Sequence, residues 1–139
     1  MVSVKCLASG SAGNSYAVDD GKSVLLLEAG IRKRTILAGY MDLLMRVQGC
    51  LITHEHQDHA KAALGLPMAG IDVYASGGTF SALNAEKDRR NYRLHSIKAG
   101  EQFTLGTWTV LPWEAQHDAA EPLGFLLHSK ETRDKLIFA

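Results

Sequence analysis

The run His54-Glu55-His56-Gln57-Asp58-His59 constrains this chain more than any other feature of it. Three imidazoles and the Asp58 carboxylate fall within six consecutive residues, with Glu55 between the first two histidines. They follow directly on Gly49-Cys50-Leu51-Ile52-Thr53, a short apolar stretch that reads as a strand. Side chains leaving a strand end together can converge, and imidazole nitrogen with carboxylate oxygen suits zinc, iron or manganese. Asp58 and His59 are neighbours and project differently from His54 and His56. The spacing therefore predicts two adjacent divalent ions rather than one. A solvated turn with incidental histidines would need this pattern to arise by chance, in roughly one chain in a thousand or fewer.

The rest of the chain supplies an ordinary globular frame. With 139 residues, 46% of them hydrophobic and 22% charged, it is long enough for one domain with a real core. The formal net charge is zero, so no overall field calls for a polyanionic partner. Two local basic clusters, Arg32-Lys33-Arg34 and Lys87, Arg89, Arg90 and Arg93, read first as solvated helix faces. Cys6 and Cys50 have no CxxC spacing, which fits a reducing cytoplasm. The longest apolar run, residues 24–27, is far below membrane-spanning length.

Periodicity predicts strands over residues 2–8, 16–18 and 23–27, forming a β-meander around the glycine-rich loop 9–15. Apolar residues at helical spacing predict a helix over 32–47. The strand over 49–53 then enters the histidine cluster, and a helix beginning at 60–64 is closed by Gly65 and Pro67. A strand over 72–75 and a helix over 79–86 follow, then strands over 93–97, 102–105, 107–112, 123–128 and 135–138. The fold class is α+β, a mixed sheet covered by helices.

The HxHxDH pattern after an apolar strand and Thr53 resembles the signature of the metallo-β-lactamase superfamily. The resemblance implies that His54 and His56, with a third histidine from a later strand end, hold one divalent metal. Asp58 and His59 would hold a second. His117 follows the strand over 107–112 and is the expected third ligand, while His95 and His128 are expected to be core or surface residues. Zinc is the expected metal, with manganese and iron as alternatives. A metal-bound hydroxide, oriented by Asp58 as the catalytic carboxylate, would then hydrolyse a phosphodiester. Thioester or β-lactam hydrolysis is the alternative within the same superfamily.

The segments 9–15 and 117–125 further resemble a bacterial branch of single-domain proteins described as DNA-processing exonucleases. That makes nucleic acid the expected partner. From spacing alone loop 9–15 is a tight turn; the resemblance adds a phosphate contact through its backbone N–H groups. Glu28 stands where the family usually shows an aspartate supporting the metal ligands. The resemblance also implies that residues 1–139 are a truncated domain, the N-terminal half of an αββα sandwich. A bridging aspartate and a later histidine would fall beyond Ala139. The expectations that follow are a short second metal site and an uncovered apolar inner sheet face. Either a homodimer or a missing C-terminal segment would cover that face, and a non-catalytic metal-binding fragment or split subunit is the alternative to an enzyme.

Overall fold

A computed structural model describes residues 1–85 and 91–139. Its first sheet has six strands in the order β1 (Ser3–Ala8), β2 (Ser15–Asp19), β3 (Val24–Leu27), β4 (Val47–Leu51), β5 (Val73–Ser76) and β6 (Leu94–Ile97). The meander β1–β3 is antiparallel, and β3 to β6 run parallel. The second sheet is an antiparallel set in the order β10 (Lys135–Phe138), β9 (Leu123–Ser129), β8 (Trp108–Glu114) and β7 (Phe103–Leu105). Helices α1 (Lys33–Gly39), α2 (Gln57–Ala60) and α3 (Gly77–Ala82) are short.

Strand alternation sorts the apolar side chains into two cores. Leu26, Cys50, Ile52 and Val73 face the helical layer and pack with Ile36, Tyr40, Leu66 and Phe80. Leu25, Leu27 and Leu51 face the other way, onto Trp108, Val110, Phe125 and Leu127 of the second sheet. This corrects one expectation. The inner face of the first sheet is not bare, because β7–β10 of the same chain cover it. Strands 102–138 form a sheet of their own, and their alternation gives them an apolar face to bury.

The helix expected over 32–47 stops at Gly39, and a 3-10 turn over Leu44–Arg46 leads straight into β4. Ile36 and Tyr40 are buried one turn apart, but Met41 and Met45, which extended the apolar spacing, point into solvent. The helix's last residue, Gly39, packs against β1, where a Cβ would lie 2.5 Å from the tip of the Leu7 side chain. Pro67 does not close a helix; it sits in the first turn of a separate 3-10 segment, Leu66–Ala69, where its missing N–H costs nothing.

Away from the histidines, Asp20 ties the two sheets together. One oxygen accepts the N–H groups of Lys22 and Ser23, and the other accepts the hydroxyls of Thr107 and Ser129. Burial alone would raise the Asp20 pKa, but these four donors together hold it below the usual carboxylate value. A depressed folded pKa gives stability that is present above the unfolded value, about 3.9, and lost as pH falls through the folded one. Asp20→Ala is expected to cost about 3 kcal/mol at pH 7 by urea denaturation and to flatten the acid side of the stability profile.

Candidate metal centre

The site is assembled where β3 and β4 end side by side. Leu27 pairs with Leu51, and the next N–H of β3, from Glu28, still donates to the Leu51 carbonyl at 2.8 Å. Glu28 then turns at φ 68°, a left-handed conformation uncommon outside glycine. Its carboxylate is 1% exposed and lies across the end of β4. One oxygen accepts the Thr53 N–H at 2.9 Å. The other accepts the Thr53 hydroxyl at 2.7 Å and also meets His59 Nδ1.

That bonding sets the histidine tautomers. The Thr53 hydroxyl has one proton and gives it to Glu28, so its lone pair accepts the Nδ1–H of His54 at 2.8 Å. His54 is thereby left with an unprotonated Nε2. Burial, followed by repulsion from His59, His117 and His56, pushes the His54 pKa down to about 4, so the ring is neutral at neutral pH. His59 is raised instead, chiefly by its bond to Glu28, against the opposing effect of burial. Its Nδ1 is turned inward, and its Nε2 lies 3.4 Å from Asp58 Oδ2.

His56 stands at the N-cap position of α2 without a side-chain capping bond, and Asp58 and His59 occupy that helix's only turn. Behind them, loop 9–15 acts as a brace. Asn14 Nδ2 donates to the Gly10 carbonyl at 2.9 Å and to the Asp58 carbonyl at 3.0 Å, while Gly30 N–H donates to the Asn14 carbonyl. His117 arrives from the other sheet, on the loop between β8 and β9. Leu123 N–H donates to the Thr53 carbonyl at 2.9 Å and fastens that loop's exit to the end of β4.

His54, His56 and His117 thus come together from two sheets. Their ligand atoms lie within 4.8 Å of one another, with His54 buried and the other two exposed. The rings of His54 and His117 are 4.1 Å apart between centroids. A cavity of about 110 Å³ lies beside them, lined by Thr53, His54, His59, His117 and Pro122. Among the described residues, two buried side-chain atoms lack a hydrogen-bond partner, His54 Nε2 and Glu55 Oε1. The His54 nitrogen lies among the three histidines, bears a lone pair and has no proton to give, a need that a cation satisfies and a hydrogen-bond acceptor does not. The three histidines therefore fit a divalent metal with an open position toward solvent.

Glu28, His54 and His59 also bring ligand atoms within 4.8 Å. There the carboxylate is already taken by Thr53 and His59, so hydrogen bonding accounts for the closeness. Asp58 joins no such group of three among the described residues. His95 lies apart, paired with Asp72 at 2.8 Å and stacked on Tyr74. His128 sits within β9 opposite Lys135. Arg32 and Arg34 are exposed at the start of α1, and Arg93 is paired with Asp72. The helix expected over 79–86 starts earlier and ends at Ala82, with Leu83 as its C-cap, while Glu86, Lys87, Arg89 and Arg90 fall outside the described residues.

Comparison with known proteins decides the family. Residues 26–139 match the family model described as a beta-lactamase superfamily domain. The chain belongs to the metallo-β-lactamase superfamily. Among curated relatives, it is 33% identical to Exodeoxyribonuclease YycJ of Bacillus anthracis over 94% of this chain and 52% of that protein. It is 31% identical to Exodeoxyribonuclease WalJ of Streptococcus pneumoniae, over 84% of this chain and 46% of that protein. The chain spans about half the length of these relatives. Among solved structures, a metallo-β-lactamase from Cronobacter sakazakii superposes with a TM-score of 0.78 at 16% identity, over 98% of this chain and 60% of that one. The metallo-β-lactamase fold protein YhfI from Bacillus subtilis gives 0.74 at 14% identity, with the same coverage. At these identities the structural likeness establishes the superfamily's fold. No helix among the described residues is long and apolar enough to cross a membrane.

Proposed function

We propose that this chain carries the first metal site of a metal-dependent phosphodiesterase acting on DNA. The observation that supports it most is the unprotonated, buried and unpartnered Nε2 of His54, facing two more histidines at the end of two sheets. His54, His56 and His117 would hold the first divalent ion, zinc before manganese or iron. Asp58 and His59 would contribute to a second, completed by ligands from outside these residues or from a second copy of the chain. Bound there, divalent ions acidify water and neutralise the charge that builds on a phosphodiester during cleavage.

The chain's own groups have separable tasks in this reading. Glu28 and Thr53 hold His54 through Nδ1 and leave its Nε2 lone pair free, and Glu28 holds His59 through Nδ1 and leaves its Nε2 toward Asp58. Asp58, one-third exposed and braced through its carbonyl by Asn14, is the carboxylate that would orient the attacking water. The nuclease names of the relatives favour a nucleic acid over a thioester or β-lactam. The absence of a third partner for Asp58 and His59 among the described residues favours a second reading, a metal-binding unit without turnover of its own.

Zinc- or manganese-loaded protein offered single-stranded DNA, double-stranded DNA, RNA, a thioester and a β-lactam separates these. Release of nucleotides from DNA, abolished in Asp58→Ala, is the expected result. Turnover of a thioester or β-lactam alone would overturn the nuclease reading, and metal uptake with no turnover would favour the second.

A further inference from the structure

Glu55 lies between the first two histidines in sequence, yet it belongs to neither cluster of potential ligands. Its carboxylate reaches the loop that carries His117. Oε2 accepts the N–H of Ala120 at 2.8 Å, across 65 residues of sequence. Oε1 is buried without a partner. A surface glutamate keeps both oxygens in water, so burying one of them is a cost that needs a structural return.

The return is the placement of the loop. Residues 115–122 have few other fixed points. Ala115 N–H donates to the Pro122 carbonyl, and Glu121 is held by Ser76 and the Gly78 N–H. Those anchors come from the ends of β8 and β9 and from the β5–α3 corner. Glu55 is the anchor that comes from the histidine turn itself. It bonds to a residue three positions after His117, and the Ala119 N–H in turn donates to the His117 carbonyl at 2.9 Å.

We infer that Glu55 is a positioning residue that locks the His117 loop onto the His54–His56 turn and so sets the distance of the third histidine from the other two. This rests on the three-histidine reading above. Without the Ala120 bond, His117 would sit on a loop held at its ends and at Glu121, with no side-chain tie to the histidine turn. The ion would then lose a preorganised ligand while keeping all three histidines in the sequence.

The test uses the full 139-residue chain as Glu55→Ala and Glu55→Gln variants, with folding checked by circular dichroism. Two quantities are read: amide exchange at Ala120 in the metal-free protein, and the zinc dissociation constant by chelator competition. Glu55→Ala is expected to speed Ala120 exchange ~5-fold or more and to weaken zinc binding roughly 10- to 100-fold. Glu55→Gln keeps an acceptor oxygen and is expected to restore Ala120 protection and most of the affinity. Unchanged zinc affinity in Glu55→Ala would overturn the assignment. So would a Gln variant that protects Ala120 but binds zinc as poorly as the Ala variant, since charge rather than the loop bond would then be responsible. A wild-type chain that takes up no zinc would sink the three-histidine reading itself, a different result from wild-type zinc binding with an indifferent Glu55→Ala variant.

Discussion

In a His54→Ala chain, zinc affinity is expected to fall by at least about a thousandfold, measured by chelator competition. His54 is the buried floor of the site, and its Nε2 is the one imidazole nitrogen there that is both unpartnered and sealed from water. His56→Ala and His117→Ala should also lose most of the metal, since two imidazoles make a weak site for a divalent ion. His95→Ala supplies the control. That ring is engaged with Asp72 and Tyr74, so its removal should leave zinc affinity within about twofold of wild type. Loss of zinc in His95→Ala equal to that in His117→Ala would mean that the third histidine has been misassigned.

The second large effect is expected from a single methyl group at Gly30. A Cβ there would stand 1.8 Å from the Asp58 carbonyl oxygen and 2.8 Å from the Asn14 backbone nitrogen. Both neighbours are backbone, so neither can rotate away as a side chain tip would. Gly30→Ala must therefore push apart the loop 9–15 brace and the turn bearing Asp58 and His59, at a cost of about 3 kcal/mol. For a domain of this size that is a fall of roughly 10 °C in Tm by calorimetry. Gly77→Ala is the matched control, because a Cβ at Gly77 meets nothing within 4 Å. It should shift Tm by no more than about 2 °C. Equal shifts in the two variants would show that loop 9–15 does not press on the metal turn.

Much of the site was legible because its chemistry is local. His54, His56, Asp58 and His59 lie on one short turn, and an apolar strand before them is enough to place it. His117 could be selected because the family resemblance calls for a third histidine after a later strand, and the structure brings it to the other two. What escaped the sequence depends on contacts between distant segments. Asn14 reaches Asp58 across 44 residues and Glu55 reaches Ala120 across 65, and neither spacing leaves a periodic trace. Thr53 looked like a strand end, but its hydroxyl relays Glu28 to His54.

The fold shows the same division. The individual strands follow from short apolar runs or alternation in their own segments, whereas their order and pairing do not. Met41 and Met45 extended a helical spacing past Gly39, yet they lie on the solvent side, and solvent-facing apolar residues carry no packing signal. That β7–β10 fold back over the first sheet, rather than leaving it open, is a matter of Trp108, Phe125 and Leu127 meeting Leu25, Leu27 and Leu51 across the interface. No single segment contains that information.

Elemental analysis of the wild-type chain, purified without chelator and without added metal, tests the three-histidine centre most directly. About one zinc, iron or manganese per chain, lost in His54→Ala, is the predicted result. A wild-type chain with essentially no metal, or a His54→Ala chain with as much as wild type, would contradict it.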